Sequence, residues 1–289
     1  MSYEPISLTH KTLLKDRLRS VSVPISEYSF PNLFLFRNTH HYEVFECDKE
    51  LFVRGKTYDN KTYIMPTKDM RTCCLDTLHK LQGECDFFFP VHESWLEFFK
   101  DHDIEYDFRD GDTDYIYTTE KMSTYKGRKL HKKRNLLKQF NESYKAEAFE
   151  MSKDRLGDCK YILEKWLELS GLTKEDTDYF ACCEALRLYD ELCVCGGIYY
   201  IDGEPCGFVI GEELTDDTYV LHFAKALTTY KGIYQYLYND FANILPKRYE
   251  FINFEQDLGK TALRMAKTSY IPDQLEKKYR MSFKKTDTL

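Results

Sequence analysis

The sequence predicts an α/β (α+β) protein in which one unit of strands and helices occurs twice. Between residues 43 and 118, apolar alternation and turn residues predict the order β-β-β-α-β-α-β. Between residues 194 and 283 the same order recurs, preceded by one strand and two helices. Helices also precede the first copy. Two copies of one unit therefore explain the pattern economically.

The first half begins with helices and continues in short strands. Leu8, Leu13, Leu14 and Leu18 recur at helical spacing within residues 8–19, and we expect all four on one buried face. The apolar segment 30–36 predicts a buried helix. The remaining predicted elements are strands 43–47, 51–56 and 62–66, a helix 69–81 with Asp69 as N-cap, a strand 85–91, a helix 92–100 and a strand 114–118.

A basic segment separates the halves. Between Lys121 and Asn141 there are eight Lys or Arg residues and no acidic residue. Leu130, Leu136 and Phe140 make the later part amphipathic and helical. The prediction is an N-terminal domain 1–120, a basic connector helix 121–144 and a C-terminal domain 145–289.

The second half predicts the longer series of elements. A strand 146–151 precedes helices 154–169 and 175–192. Strands 194–201 and 205–213 form a hairpin around Asp202-Gly203, a favoured two-residue turn. The chain then predicts a strand 217–227, a helix 232–245 ended by Pro246, a strand 249–254, a helix 260–267 and a last strand near 275–283.

The most informative stretch is the turn after strand 249–254. Asn253, Glu255 and Asp257 cluster where this strand ends, and Arg264 and Lys267 follow one helical turn apart on one face. Crevices at the carboxyl ends of strands often hold ligands in α/β proteins. The alternative is a salt-bridged surface turn followed by a solvated helix.

The order of elements resembles the GNAT acyltransferase fold, with a mixed, mostly antiparallel sheet flanked by helices in each copy. That fold implies a strand that diverges from its neighbour to admit an acyl donor. In its coenzyme-A enzymes a glycine-rich turn presents backbone N–H groups to the pyrophosphate. The corresponding turn here is 229–234, where Gly232 is kept but Thr229 and Tyr234 replace the usual polar or basic and small residues. Coenzyme A is therefore disfavoured as the donor.

A closer resemblance covers nearly the whole chain. Stretches at 32–37, 127–135, 196–197, 222–226 and 253–272 resemble the family of the C-terminal domain of bacterial phosphatidylglycerol lysyltransferases and its stand-alone relatives. The segment Asn253-Phe254-Glu255-Gln256-Asp257-Leu258-Gly259, with Leu263-Arg264, Lys267, Tyr270 and Pro272, is the most specific. The resemblance implies a tandem GNAT fold and Fem-type transfer of an aminoacyl group from charged tRNA to an amine or hydroxyl. The membrane-spanning half of the lysyltransferases is absent from this sequence, so the acceptor stays open.

This chemistry assigns roles to the candidate residues. Attack on an aminoacyl ester needs a deprotonated nucleophile and a place for the developing oxyanion. Glu255 or Asp257 would position the acceptor or bind the α-ammonium group, while Lys267 or Arg264 would face the oxyanion or a terminal phosphate of the tRNA. Substrate-binding roles are also expected for Asn253 and Tyr270.

His222 lies in an apolar strand at the expected point of divergence, with Lys225 three residues later on the opposite face. His222 is a candidate catalytic residue and Lys225 a candidate substrate-binding residue. The alternative for His222 is a packed, hydrogen-bonded core residue.

The basic segment suggests a local tRNA-binding surface. Phosphate contacts are predicted for Arg128, Lys129, Lys132, Lys133 and Arg134. The alternative is a solvated basic helix that pairs with the acidic remainder of the chain. The formal net charge of −7 excludes a general polyanion binder, so any nucleic-acid contact has to be local.

Composition suggests a soluble, cytoplasmic protein without a catalytic metal. The ten cysteines include no C-x-x-C pair, and several lie in apolar patterns typical of buried reduced thiols. The N-terminus lacks a signal peptide, and no apolar stretch is long enough to span a membrane. His40 and His41 have no acidic or Cys partner at metal-ligand spacing.

Three functions remain open at this point. The first is an aminoacyl-tRNA-dependent aminoacyltransferase that needs no separate cofactor. The second is a coenzyme-A-dependent N-acyltransferase. The third is a non-catalytic binding protein that retains the fold.

Overall fold

A computed structural model of the chain describes residues 1–284. It contains two compact units. Unit 1 comprises Met1–Asp114, Gln256–Arg264 and residues 275–284, and unit 2 comprises Tyr115–Glu255 and Met265–Gln274. Each unit is therefore assembled from segments that are distant in the sequence.

Short strands and helices alternate along the chain. The strands are β1 (Glu4–Pro5), β2 (Glu43–Cys47), β3 (Glu50–Lys56), β4 (Thr62–Pro66), β5 (Phe87–Val91), β6 (Ile104–Phe108), β7 (Asp114–Thr118), β8 (Ala146–Glu150), β9 (Cys195–Ile201), β10 (Glu204–Glu213), β11 (Thr218–Ala226), β12 (Phe251–Asn253), β13 (Gln274–Glu276) and β14 (Tyr279–Phe283). The α-helices are α1 (Lys11–Arg19), α2 (Phe30–Leu35), α3 (Arg37–His40), α4 (Leu75–Gln82), α5 (Glu93–Phe99), α6 (Thr119–Thr124), α7 (His131–Ser143), α8 (Leu156–Ser170), α9 (Tyr179–Arg187), α10 (Tyr189–Leu192), α11 (Ile233–Ile244) and α12 (Thr261–Thr268).

The sheet of unit 1 has the strand order β1-β2-β3-β4-β5-β14-β6. Its neighbouring strands are antiparallel except for β4 and β5, which pair in parallel at Tyr63–Phe87 and Ile64–Phe88. Strand β14, from the end of the chain, lies between β5 and β6 and pairs with both. A C-terminal segment thus completes the first sheet.

The core of unit 1 corrects part of the helix prediction. Leu14 and Leu18 of α1 are fully buried, but Leu13 is 48% exposed and does not share their face. Every residue of α2 is buried, as predicted for segment 30–36. The Ser29 side chain accepts a hydrogen bond from the Asn32 backbone N–H and so caps this helix.

The sheet of unit 2 contains the strand order β7-β12-β11-β10-β9-β8. Strands β11 and β12 form its parallel pair, with Thr218 opposite Phe251 and Val220 opposite Asn253. Strand β7, predicted as the last strand of the first copy, pairs with β12 in this second sheet. The fold is therefore a tandem GNAT-like α/β fold in which each sheet is mixed and mostly antiparallel.

The basic connector belongs to unit 2. It forms two helices, α6 and α7, joined by a 3-10 turn at Arg128–Leu130. Met122, Leu130 and Phe140 of this segment lie in the same core cluster as Leu237 and Phe241 of α11. The contacts therefore place this segment within unit 2. The linear division into domains 1–120, 121–144 and 145–289 stays a prediction. The last five residues of the third domain lie outside the described range.

Two predicted helices are interrupted. Segment 69–81 forms a 3-10 turn at Met70–Thr72 and then α4, because the Asp69 side chain caps the short turn and Cys73 has an extended backbone. Segment 175–192 forms α9 and α10, since Leu188 between them is not helical. Strand β6 was not predicted at all.

The described part of the chain has no helix long and apolar enough to cross a membrane.

Candidate functional site

His222 occupies a β-bulge in β11. Along the antiparallel pairing with β10, Phe223 lies opposite Ile210 and Leu221 lies opposite Gly211. His222 between them therefore has no cross-strand partner. A bulge of this kind changes the direction of a side chain and is common beside active sites.

The bulge lies just past the end of the pairing between the two parallel strands. The last paired residues of β11 and β12 are Val220 and Asn253, where β12 ends, whereas β11 continues to Ala226. His222 thus lies two residues beyond the end of this pairing. A divergence of the two strands at His222 stays a prediction.

The His222 imidazole bridges two carboxylates. Its Nε2 lies 3.0 Å from Oε1 of Glu212 and its Nδ1 lies 2.7 Å from Oε1 of Glu255. Burial alone would lower the pKa of His222, but the hydrogen bonds that its ring donates to Glu212 and Glu255 outweigh it and raise the pKa to about 10. At neutral pH both ring nitrogens therefore carry protons and donate to the carboxylates.

This protonation state bears on the predicted catalytic role of His222. An imidazolium with both N–H groups engaged cannot accept a proton from a substrate. The His222 side chain is also fully buried, while those of Glu212 and Glu255 are 15% and 13% exposed. The accessible groups of this cluster are therefore the two glutamates, and a catalytic role for His222 stays a prediction.

Glu255 has an unusual backbone conformation that its neighbours hold in place. Its φ of +58° lies in the left-handed region, which is costly for a residue other than glycine. The Asn253 side-chain Oδ1 accepts a hydrogen bond from the Glu255 N–H at 2.6 Å. The Glu255 carbonyl oxygen accepts hydrogen bonds from Lys267 Nζ at 3.0 Å and from the Tyr115 N–H at 3.3 Å. Asn253 and Lys267 thus shape the turn that presents Glu255.

Lys267 and Tyr270 belong to the same short segment. The Lys267 carbonyl oxygen accepts hydrogen bonds from the Tyr117 hydroxyl and from the Tyr270 N–H. Tyr270 itself is buried, and its hydroxyl accepts a hydrogen bond from Gln235 Nε2 at 2.8 Å. The structure therefore gives Tyr270 a packing role, which differs from the predicted contact with substrate.

Lys225 lies apart from the His222 cluster. Its Nζ is 2.5 Å from Oδ1 of Asp178 and 3.7 Å from the centre of the Trp166 ring. The Lys225 residue is 5% exposed. This buried ion pair satisfies its charge, so the structure does not bring Lys225 together with His222 and Glu255.

Asp257 and Arg264 form an ion pair in unit 1. Both Asp257 oxygens accept hydrogen bonds from Arg264, at 2.8 Å from Nε and 3.2 Å from Nη2, and Oδ1 also accepts one from the Gly259 N–H. Asp257 is fully buried. The pair anchors the start of α12, whereas Glu255 and Lys267 belong to unit 2. A single groove containing all four side chains stays a prediction.

The five predicted phosphate ligands have three different environments. Arg128, Lys129 and Lys132 are exposed and form no ion pair within residues 1–284. The Arg134 guanidinium donates to the carbonyl oxygens of Tyr125 and Gly127 and closes the loop before α7. Lys133 is half-buried, and its Nζ lies over the ring of Tyr270.

Glu212 was not found from the sequence. It lies near the end of β10, opposite Val220, ten positions from His222. Pairing the predicted strands 205–213 and 217–227 residue by residue would have brought it near His222. The bulge shifts that register by one residue, and the sequence gives no sign of this shift.

A second buried charge cluster, in unit 1, was also missed. Lys278 Nζ lies 2.6 Å from carboxylate oxygens of both Glu27 and Asp114 and donates to the side chains of Ser26 and Gln256. Burial raises the pKa of Glu27 to about 7, although Lys278 opposes the shift. The cluster is hydrogen-bonded throughout, which is typical of a structural role for buried charges.

The turn before α11 is packed against α7. Gly232 has a φ of +90° and precedes the first residue of α11. A Cβ atom built on Gly232 would lie 2.6 Å from the Leu136 carbonyl oxygen and 3.2 Å from the Phe140 Cβ atom. This face of the turn is therefore filled by protein.

Comparisons with known proteins agree with this fold. A solved structure of a conserved protein of unknown function from Bacteroides thetaiotaomicron is similar over 98% of this chain and 100% of that one, with a TM-score of 0.84 and 24% identity. The C-terminal domain of a putative lysylphosphatidylglycerol synthetase from Agrobacterium fabrum gives a TM-score of 0.62 at 12% identity over 96% and 92% of the two chains. FemX gives 0.59 at 9% identity over 98% of each chain. These likenesses establish the shared fold.

The sequence comparisons identify the family. An uncharacterized protein of Mycoplasmoides gallisepticum is 26% identical over 185 residues, which is 62% of this chain and 58% of that protein. The chain thus matches less than two thirds of that relative. The model of the family described as phosphatidylglycerol lysyltransferase, C-terminal, matches residues 19–282. The chain therefore belongs to the phosphatidylglycerol lysyltransferase C-terminal domain family.

Proposed function

We propose that this protein is an aminoacyl-tRNA-dependent aminoacyltransferase. The family is one of aminoacyl transfer, since its description names a lysyltransferase. In the proposed reaction the acceptor is an amine or a hydroxyl group, and the donor is an aminoacyl ester at the end of a tRNA. No separate cofactor takes part.

The observation that carries the proposal is the pair of glutamates held by His222. Glu212 and Glu255 lie beside the end of the pairing between β11 and β12, and each keeps part of its surface exposed. An aminoacyl group carries an α-ammonium, which two adjacent carboxylates bind well. The His222 imidazole lies between the two carboxylates, and its positive charge offsets their mutual repulsion.

Lys267 supplies the cationic part of the proposed site. Its ammonium group donates a hydrogen bond to the Glu255 carbonyl oxygen, in the turn that presents Glu255. As the acceptor nitrogen or oxygen attacks the ester carbonyl, negative charge develops on the carbonyl oxygen. We assign Lys267 to stabilise that charge, while the bond from the carbonyl carbon to the tRNA oxygen breaks and that oxygen leaves as a hydroxyl with the proton that the acceptor loses.

The exposed cations at the start of α7 support a tRNA donor. Arg128, Lys129 and Lys132 lie in unit 2, the unit that contains Glu255 and Lys267. Contacts from such side chains to phosphates supply sequence-independent affinity that falls as salt rises. We do not assign Arg134 to this phosphate-binding surface, because its guanidinium group is hydrogen-bonded to the loop that precedes α7.

Coenzyme A remains the alternative donor, and the packing of Gly232 disfavours it. In GNAT enzymes the corresponding turn approaches the pyrophosphate, whereas here α7 occupies one face of it. A non-catalytic binding protein is the third possibility. We further propose a cytoplasmic location, because all ten cysteines are free thiols and reduced cysteines are typical of that compartment.

The test is incubation of the protein with a pool of charged tRNAs that carry labelled amino acids. We expect one or a few labels to leave the tRNA and to appear in an acceptor fraction of cell extract. Glu255→Gln should lower this rate by about 100-fold, because it removes one of the two anionic ligands of the α-ammonium group. Glu147→Gln, at an exposed position of β8, is the matched control and should retain the wild-type rate.

Two outcomes would contradict the proposal. Thermal stabilisation by acetyl-coenzyme A, with none by charged tRNA, would favour the coenzyme-A enzyme. Equal cellular phenotypes for wild type, Glu255→Gln and Lys267→Ala would favour a non-catalytic binding protein.

A further inference from the structure

Lys133 differs from the other basic residues of α7 in its surroundings. Its Nζ lies 3.7 Å from the centre of the Tyr270 ring, and the residue is half-buried. Within residues 1–284 no carboxylate lies within ion-pair distance of it. Its exposed neighbours Lys129 and Lys132 are surrounded by solvent.

The aromatic surroundings of this amine are extensive. The Tyr270 ring packs against Tyr117, Tyr125 and Tyr238, at centroid distances of 6.5, 5.9 and 5.5 Å. Such rings exclude water from one side of the ammonium group and offer only the weak attraction of their faces. Loss of hydration without a counter-charge favours the neutral amine.

The other buried lysines have the opposite arrangement. Lys278 forms ion pairs with Glu27 and Asp114, and Lys225 forms an ion pair with Asp178. The carboxylates beside Lys278 raise the pKa of its ammonium group although burial opposes the shift, so this amine is a poor nucleophile. Lys133 combines partial burial with the lack of a carboxylate partner in the described chain, and part of its surface still faces solvent.

We propose that the Lys133 amine is an acyl-accepting site, which takes acyl groups from activated carbonyl donors such as thioesters and aminoacyl esters. The neutral nitrogen attacks the carbonyl carbon, so that a C–N bond forms and the C–S or C–O bond breaks. The thiol or alcohol leaves with the proton that the nitrogen loses. The product is an amide.

The protonation equilibrium of Lys133 supports this assignment. Burial lowers the pKa of the Lys133 ammonium group to about 8. An ordinary lysine has a pKa of about 10.4, so the neutral fraction of Lys133 near pH 7.5 exceeds that of an ordinary lysine by about 200-fold. Acylation would remove the positive charge and the contact of that charge with the Tyr270 ring.

The experiment uses the full chain and separates the two donor classes. One arm contains acetyl-coenzyme A and the other a pool of charged tRNAs, both at pH 7.5, and peptide mass spectrometry measures the acylated fraction of each lysine. We expect Lys133 to be acylated at least about tenfold faster than Lys132 and Lys129 in one or both arms. The arm that labels it identifies the donor as thioester or ester.

A second measurement does not depend on either donor. Competitive labelling with acetic anhydride across pH 6–10 should show the Lys133 amine becoming reactive at a lower pH than Lys132. In urea the difference should disappear. Lys133→Arg should lose the selective label, whereas Lys132→Arg should keep it.

Equal reactivity of Lys133 and Lys132 toward acetic anhydride, or the lack of selective acylation in both donor arms, would overturn the proposal. Neither result bears on transfer from tRNA to an external acceptor, because that reaction is assigned to Glu212, Glu255 and Lys267.

Discussion

At the scale of single residues, His222 shows how a buried charge can organise a site. The imidazolium satisfies two carboxylates, and its bulged position on β11 lets it reach both. A histidine in an apolar strand suggests either a catalytic base or a packed core residue. The structure shows a buried histidine with both ring nitrogens hydrogen-bonded to carboxylates, and these carboxylates raise its pKa, which the sequence did not predict.

The raised pKa of His222 predicts a pH-dependent stability. The folded protein binds the His222 proton up to about pH 10, whereas an unfolded histidine releases it near pH 6.5. This contribution is therefore fully present below pH 6.5 and is lost as the pH rises toward 10. Between pH 6.5 and 9 the free energy of unfolding should fall by on the order of 2–3 kcal/mol more in wild type than in His222→Gln.

Urea unfolding of both proteins at several pH values measures this difference. The variant serves as the control, because other groups that titrate above pH 8 affect both proteins alike. If the free energy of unfolding changed with pH equally in wild type and His222→Gln, the folded protein would not retain the His222 proton above pH 6.5.

The sequence predicted best those site residues whose contacts are with residues close to them in the chain. Asn253 and Glu255 are two positions apart and form one turn, so their proximity follows from the chain itself. Glu212 and the partly buried amine of Lys133 depend on strand register and on helix packing. Such tertiary contacts leave no local pattern, so the sequence showed Lys133 as one cation among eight.

At the scale of elements, the turn at Gly232 joins two helices of unit 2. Gly232 has a positive φ at the junction between the loop after β11 and the start of α11. Its Cα atom lies against the backbone of α7. Glycine is needed here both for the conformation and for the close approach. The basic connector helix is thereby packed against the turn that precedes α11.

Gly232→Ala should destabilise the protein more than Gly171→Ala. Both glycines lie in the left-handed region, with φ and ψ of +90° and 3° at Gly232 and of +67° and 11° at Gly171, so both substitutions carry a similar conformational cost. A Cβ at Gly232 also meets the Leu136 carbonyl oxygen at 2.6 Å, whereas one at Gly171 has no atom within 4 Å. We expect an additional loss of about 1–3 kcal/mol at Gly232, measured by urea denaturation. Equal losses would argue against the close packing of α7.

Element prediction succeeded where apolar alternation was strong. Strands β2, β4 and β7 have the predicted bounds, and the hairpin turns at Asp202-Gly203 as expected. It failed at β6, whose central residues Glu105, Tyr106 and Asp107 are all exposed. An edge strand with no buried face gives no alternation to recognise.

At the scale of the whole molecule, each sheet takes a strand from outside its own stretch of sequence. Strand β14 completes the sheet that begins at β1, and β7 lies in the sheet formed mainly by residues 146–253. The sequence predicted β7 with its observed bounds and a last strand near 275–283, which the structure divides into β13 and β14. Their assignment to sheets depends on long-range pairing, which element order alone does not determine.

This exchange predicts that fragments divided at the linear boundaries do not fold alone. Fragment 1–120 lacks β14, so β5 and β6 lose the strand that joins them. Fragment 145–289 lacks β7 and the helices α6 and α7 that pack on α11. Circular dichroism and chemical denaturation should show no cooperative transition for either fragment. The intact chain is the control, and a cooperative transition in fragment 1–120 would contradict the assignment of β14.

The position of β14 also bears on synthesis by the ribosome. Residues 279–283 are translated well after the two strands between which they lie. Until β14 is made, β5 and β6 have no neighbour on their facing edges, and such edges can pair with other chains. A ribosome that stalls or terminates before β14 would therefore release a chain with an open first sheet.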